Sequence, residues 1–255
     1  MLKPVSQRTI NLEALDEQTV ASTTDELLEL TNSFGLPLDA SAARLCVEHL
    51  LYVQQINSYM NLTRITDMHE ALTLHILDSL SLIDILPCKP GYFLDMGTGA
   101  GFPGIPFHVM TGSSGVLLDS VGKKIDAVNT CIKQLGLSGI SGVYARLEEF
   151  ATTQSHAFDT VLARAVGQLP LLIEYGAPFL ADDGSLVLAK ANPSDDEVAS
   201  GLQAAKICGL VLAQTKEFEL PENLGHRTVF LFHKVSEPRI KLPRTVGLAK
   251  KNPLA

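Results

Sequence analysis

The hydrophobic pattern divides the chain into a helical front and an alternating remainder. From Asp39, apolar residues recur at helical spacing through Leu45, Leu50, Val53 and Ile56. A second helix is signalled at Asp67, with Glu70 as capping-box partner, and runs through Leu74, Leu77 and Leu80. Residues up to about Leu86 read as helices, and Leu86-Pro87-Cys88-Lys89-Pro90-Gly91 then breaks the chain. Beyond the break, short apolar runs at Tyr92–Met96, Gly115–Asp119, Ile140–Tyr144, Asp159–Ala163 and Ser185–Lys190 predict strands. They alternate with helical stretches at Gly104–Met110, Lys123–Leu135, Gln168–Ala177 and Ser194–Cys208. Such alternation means βαβ units and a parallel sheet covered on both faces, a doubly wound α/β fold. Val211–Glu219 and Thr228–His233 add a closing antiparallel hairpin, making seven strands. The expected organisation is a helical region 1–86, an α/β domain 87–235 and a tail 236–255 with neither period, ordered only by a partner if at all.

Candidate chemistry gathers at the strand ends, where ligands bind in open parallel sheets. The first strand runs into Asp95-Met96-Gly97-Thr98-Gly99-Ala100-Gly101, a D-x-G-x-G-x-G turn. Glycine there permits a sharp turn, close approach of a ligand and exposed backbone N–H groups. Phe102 stands where a dinucleotide fingerprint would have its last glycine, and an acid before the turn would repel a pyrophosphate. The turn suits a cationic or zwitterionic ligand such as S-adenosylmethionine, with Asp95 holding its ammonium. Asp119 ends the second strand, where two carboxylate oxygens can accept from both hydroxyls of a ribose. After the third strand, Leu147 can cover an adenine face, and Glu148 or backbone acceptors can meet its exocyclic amine. Arg164 ends the fourth strand and can point into the cleft.

Other signals narrow the choice. No D/N-P-P-Y/F motif suits attack by an exocyclic amine, and Pro87-Cys88 precedes the sheet instead of following the fourth strand. His69 and His75 lack the H-E-x-x-H spacing, so no metal is expected; His75 and Asp78 can hydrogen-bond in a helix-to-sheet contact. Cys46, Cys88, Cys131 and Cys208 form no C-x-x-C pair, which suits reduced thiols in a cytoplasmic protein. The N-terminal sequence lacks the apolar core of a secretory signal, and no run approaches the ~20 residues that span a bilayer. A net charge of −8 argues against a simple nucleic-acid binder. Its distribution keeps an RNA partner open: from Pro238 on, the tail carries Arg239, Lys241, Arg244, Lys250 and Lys251 and no acid, so it can supply RNA phosphate contacts.

Taken together, these residues resemble the small-subunit ribosomal RNA guanine-N7 methyltransferase G family, also called glucose-inhibited division protein B. The resemblance runs from about Asn57 to Leu254 and is carried by Asn57–Ile65, by His75–Leu80 and by Leu94–Pro106 with its G-x-G-x-G-F-P-G-I-P string. Leu117–Ser120, Arg146–Phe150 and Arg164-Ala165 follow in the family's order, and Pro243-Arg244, Gly247, Lys250 and Pro253-Leu254 echo its tail. The resemblance implies a class I S-adenosylmethionine-dependent methyltransferase, Rossmann-like and seven-stranded, with an N-terminal helical extension. It places cofactor contacts on Gly97, Phe102, Leu147, Glu148 and Arg164, beside Asp95, Gly99, Gly101 and Asp119. It makes 16S rRNA or the small ribosomal subunit the partner of a monomer, with Arg164 in the catalytic position and Lys190 near the substrate. Ile56, where an aromatic is usual, and Ala191, where glycine is usual, depart from the pattern. Competing readings are a methyltransferase acting on a small molecule or protein, a nicotinamide-dependent oxidoreductase, and an RNA-binding protein without catalysis.

Overall fold

The computed structural model describes residues 10–164 and 167–255. Residues 1–9 of the helical region, and Ala165 of the Arg164-Ala165 pair, lie outside them. Helices α1 (Glu17–Ser33) and α2 (Ala40–Asn57) start where Asp16 and Asp39 accept the N–H groups of Thr19 and Ala42. Asp67 caps α3 (Met68–Ala71) through the Glu70 N–H. The helix expected through Leu80 continues as a π-helical turn over Leu72–Leu77 and ends in α4 (Asp78–Leu80). π-Turns inside helices frequently mark functional sites.

The α/β part comprises β1 (Tyr92–Met96), α5 (Gly104–Thr111), β2 (Ser114–Asp119), α6 (Gly122–Gln134), β3 (Ile140–Tyr144), α7 (Leu147–Phe150), β4 (Phe158–Arg164) and α8 (Leu169–Gly176). It continues through β5 (Leu180–Lys190), α9 (Asp195–Ile207), β6 (Leu210–Glu219) and β7 (His226–Lys234). The seven strands lie in the order β3-β2-β1-β4-β5-β7-β6. β1 to β5 pair in parallel, and β7 runs antiparallel between β5 and β6. Strand order reverses between β1 and β4, so the crevice for a ligand opens beyond Met96 and Arg164.

Strands buried on both faces explain the near-continuous apolar runs in the sequence. One core cluster covers one face of the sheet with α8 and α9, through Leu94, Leu118, Val161, Leu172, Leu188 and Ala204. The other runs without interruption from Leu50, Ile56, Leu72 and Ile76 of the N-terminal helices to Phe93, Leu117, Leu162 and Val187. The Pro87–Gly91 break therefore separates these regions along the chain, but they share one core.

The tail departs from the sequence reading. It packs on its own chain, ends in a short helix α10 (Leu248–Lys251) and buries Ala249. Leu242 and Leu254 rest on the apolar cluster that lies under α8 and α9. Arg244 forms a two-pronged ion pair with Glu174 of α8 at 2.5 and 2.7 Å. These anchors are single residues spaced irregularly, so no hydrophobic period records them.

Candidate active site

Two hollows open beyond the strand ends and meet at Gly97 and Lys124. The larger, about 720 Å³, is lined by the glycine turn, Phe102, Arg164, Lys190 and Arg227, and on its far side by Thr63, His75 and Asp78 of the N-terminal region. The smaller, about 400 Å³, is lined by Asp119, Arg146, Leu147, Glu148 and Tyr175, with Gly247 and Lys250 from the tail.

Positive φ at Gly97, Gly99 and Gly101 builds the turn between them. A Cβ on Gly99 would meet only the Gly97 carbonyl, at 4.0 Å, so this part of the turn faces open space that a side chain would fill. Gly101 serves differently: a Cβ there would strike Ile105 and His49 at 2.8 and 3.0 Å, so its glycine permits packing and not ligand approach. The exposed donors expected of the turn are also largely spent. Gly97 and Thr98 donate to the Leu118 carbonyl, Gly101 and Phe102 to the Thr98 carbonyl, and Gly99 to Asp119. Space and acceptors remain, which suits a cation better than a phosphate.

Asp95 is placed differently from the expectation. Its side chain is fully buried beneath the turn, away from the lining of either hollow, and its Oδ2 accepts the Gly104 N–H at 2.9 Å. Burial raises its pKa to about 6, against the pull of that N–H. Asp95 is thus a brace that fixes the turn to the start of α5, and a direct grip on an ammonium is not what this geometry offers. Asp119, by contrast, lines the smaller hollow. Its Oδ2 accepts from Gly99 and its Oδ1 from the Val121 N–H, with the Lys124 ammonium 3.9 Å away. The carboxylate therefore ties the ends of β1 and β2 together at the junction of the two hollows. Glu148 accepts from the Gly247 N–H at 2.9 Å and from the Tyr175 hydroxyl at 3.3 Å, both on Oε1.

On the opposite side, Asp78 joins two arginines. Its Oδ2 accepts from Arg164 and its Oδ1 from Arg227, each at 2.9 Å, and its side chain is only 5% exposed. Arg164 also donates to the Leu74 carbonyl, at 2.6 Å, in the π-turn. The second terminal nitrogen of each arginine has no partner among the described residues. The pairing of His75 with Asp78 is not found. His75 instead shares a 2.9 Å hydrogen bond with Thr63 and stacks on Phe102 at a 4.7 Å centroid distance. Burial, with the Arg164 charge nearby, lowers its pKa to about 3, so it is neutral. Phe102 also packs against His49, ring centroids 4.4 Å apart, whose buried Nε2–H donates to the Ala100 carbonyl at 3.0 Å. Burial lowers the His49 pKa to about 4.

The basic residues divide as well. Lys190 reaches the larger hollow, where it donates to the Gly167 carbonyl and pairs with Glu197 at 2.8 Å. Arg239, Lys241 and Lys251 are exposed outside both hollows, and Arg244 is occupied by Glu174, so it is not a free phosphate ligand. His69 lies between Glu26 and Glu222. Among the described residues, one group has metal-like spacing, His156, Asp182 and Glu237, and the Lys234 ammonium already bonds to all three.

Sequence reasoning missed Arg227, His49, Thr63, Tyr175 and the wall role of Gly247. Arg227 is the second residue of β7, with no motif around it, and His49 sits at an apolar position of α2 like any core residue. Lys124 left a legible signal, a basic pair at the start of the helix after Asp119.

The family model described as rRNA small subunit methyltransferase G (GidB) matches residues 43–227. The ribosomal RNA small subunit methyltransferase G of Desulfitobacterium hafniense is 37% identical over 201 residues, covering 78% of this chain and 83% of that one. Its namesake in Acetivibrio thermocellus is 36% identical over 231 residues, or 89% and 95% of the two chains. Among solved structures, an S-adenosylmethionine-dependent methyltransferase from Aquifex aeolicus superposes with a TM-score of 0.51 at 16% identity, covering 65% and 93%, a likeness of fold. With the family model spanning most of the chain, and with relatives matched over nearly their whole length, this chain belongs to the rRNA small subunit methyltransferase G family.

Proposed function

We propose that this chain transfers a methyl group from S-adenosylmethionine to N7 of one guanosine in 16S ribosomal RNA. The observation that carries the reading is the meeting of two unlike hollows at Gly97 and Lys124. One offers carboxylates at strand ends to a nucleoside; the other offers arginine donors and an aromatic wall to a base.

Bound S-adenosylmethionine supplies a methyl made electrophilic by its sulfonium. Asp119 would take the ribose, Leu147 and Glu148 the adenine, and the open face of Gly99, beside Gly97 where the two hollows meet, would admit the amino-acid end near Lys124. In the larger hollow, the stacked pair of Phe102 and His75 supplies an aromatic part of the lining against which a purine would pack. The free nitrogens of Arg164 and Arg227 can donate to O6, leaving N7 open for the methyl.

Guanine N7 carries an in-plane lone pair and no proton, so the transfer needs no general base. The lining supports that chemistry. His75 is neutral but already bonded to Thr63, and Asp78 is ion-paired with both arginines. The rate enhancement then comes from alignment of sulfur, methyl and nitrogen. A target guanine must leave its stack to enter, which favours a loop over a duplex.

The test is incubation of the purified chain with tritiated S-adenosylmethionine and either small ribosomal subunits or 16S rRNA from cells lacking it. Label is expected at a single guanosine as 7-methylguanosine on nucleoside mass spectrometry. Label at another atom would sink the N7 assignment, and label only in protein or small metabolites would sink the RNA assignment.

A further inference from the structure

The tail was expected to be ordered only by a partner, if at all, yet it lines the smaller hollow that Asp119 also lines. Gly247 and Lys250 line that hollow together with Leu147, Glu148 and Tyr175. The Gly247 N–H donates to Glu148 Oε1, which leaves Oε2 with no partner among the described residues. Gly247 adopts a positive φ of 78°, which turns its N–H toward Glu148 as α10 begins. The anchor lies just upstream. Arg244 grips Glu174, whose side chain is 3% exposed, and also donates to the Asn252 carbonyl, tying both ends of the segment. Ala249 is buried, and the seam against Leu147, Ala151 and Pro178 encloses only about 10 Å³, so the segment sits tightly on α7 and α8.

We infer that residues 243–251 are the closing wall of the adenine-nucleoside pocket, with Gly247 orienting Glu148 so that its second oxygen faces the exocyclic amine of the bound purine. The Arg244–Glu174 pair is the fastening of that wall. It follows that this segment belongs to the cofactor site, and that removing it weakens cofactor binding in the absence of any RNA. The inference rests on the cofactor part of the proposed function.

The experiment uses the full chain with S-adenosylhomocysteine as probe, in two arms. In the unmodified chain, saturating probe should slow tryptic cleavage after Arg244, Lys250 and Lys251 several-fold while leaving cleavage after the exposed Lys133, in the last turn of α6, unchanged. By calorimetry, Arg244→Gln should weaken probe binding at least about tenfold, the scale of losing a charge-assisted contact. Gly247→Ala, which meets nothing within 4 Å but disfavours the required φ, should weaken it less, by about threefold. It also serves if Arg244→Gln does not fold. A folded Arg244→Gln chain, cut faster in the tail yet binding the probe with parental affinity, overturns the wall. So does probe binding that leaves tail cleavage unaltered. An unmodified chain that binds no probe at all would instead overturn the cofactor reading itself.

Discussion

The two hollows differ in how they are built. The smaller is made of strand ends: Asp119 from β2, the loop after β3, and carboxylates whose partners are backbone N–H groups. The larger is made by packing a second region onto the sheet. Its Asp78 comes from the N-terminal helices, Arg164 from β4 and Arg227 from β7, some 86 and 149 residues apart from Asp78 in sequence. The first is held within the α/β part and the tail packed on it; the second holds only if the N-terminal helices and the sheet share a core. Variants should therefore act differently on the two sides.

The largest effect should come from Asp78→Ala, which leaves two guanidinium groups facing each other without their shared anion. Removing one partner of a buried ion pair costs about 3–5 kcal/mol. Urea unfolding should show a loss of that order, and methyl transfer to RNA should fall more steeply than affinity for S-adenosylhomocysteine. Equal loss on both would mean that the clamp supports the fold alone. Asp119→Ala acts on the other side. It should weaken cofactor binding by about 1.5–3 kcal/mol, roughly tenfold to a hundredfold, with less effect on stability. Unchanged calorimetric affinity would remove the ribose assignment.

Two buried groups beneath the same turn sharpen the contrast through pH. Asp95 has its pKa raised to about 6, so the folded chain binds its proton more tightly than the unfolded chain does. Its stabilising contribution is present below about pH 4 and is lost as pH rises through 6. Asp95→Asn keeps an acceptor for Gly104 and should remove that loss, gaining about 2 kcal/mol at pH 8 relative to its effect at pH 4. His49, lowered to about 4, has the opposite sign. Its contribution is complete above about pH 6.5 and is lost as pH falls toward 4. His49→Gln should flatten the acid side of the stability curve, measured by urea unfolding at stepped pH. The smallest effect is expected at His69, whose pKa is raised to about 9 by Glu26 and Glu222. That stabilisation is present below about pH 6.5 and fades as pH passes 9; because the groups are exposed, His69→Ala should cost at most ~1 kcal/mol in thermal or urea unfolding.

Much of this protein is legible without coordinates. Burial on both faces turns strands into apolar runs, helices repeat every three or four residues, and a turn that needs positive φ selects glycine. Those are local demands, and they fixed the strand order's ingredients, the Asp95–Gly101 turn, Asp119 and the position of Arg164 at the end of β4. The tertiary structure alone decided what each side chain faces. It put Asp95 under the turn and not in the hollow, gave Asp78 two arginines in place of His75, and laid the tail against Glu148 and Glu174. Each outcome depends on residues distant in sequence meeting in a shared core or at one charged atom. Such meetings leave no period along the chain, because a hydrogen bond or an ion pair engages one residue on each side and imposes nothing on its neighbours.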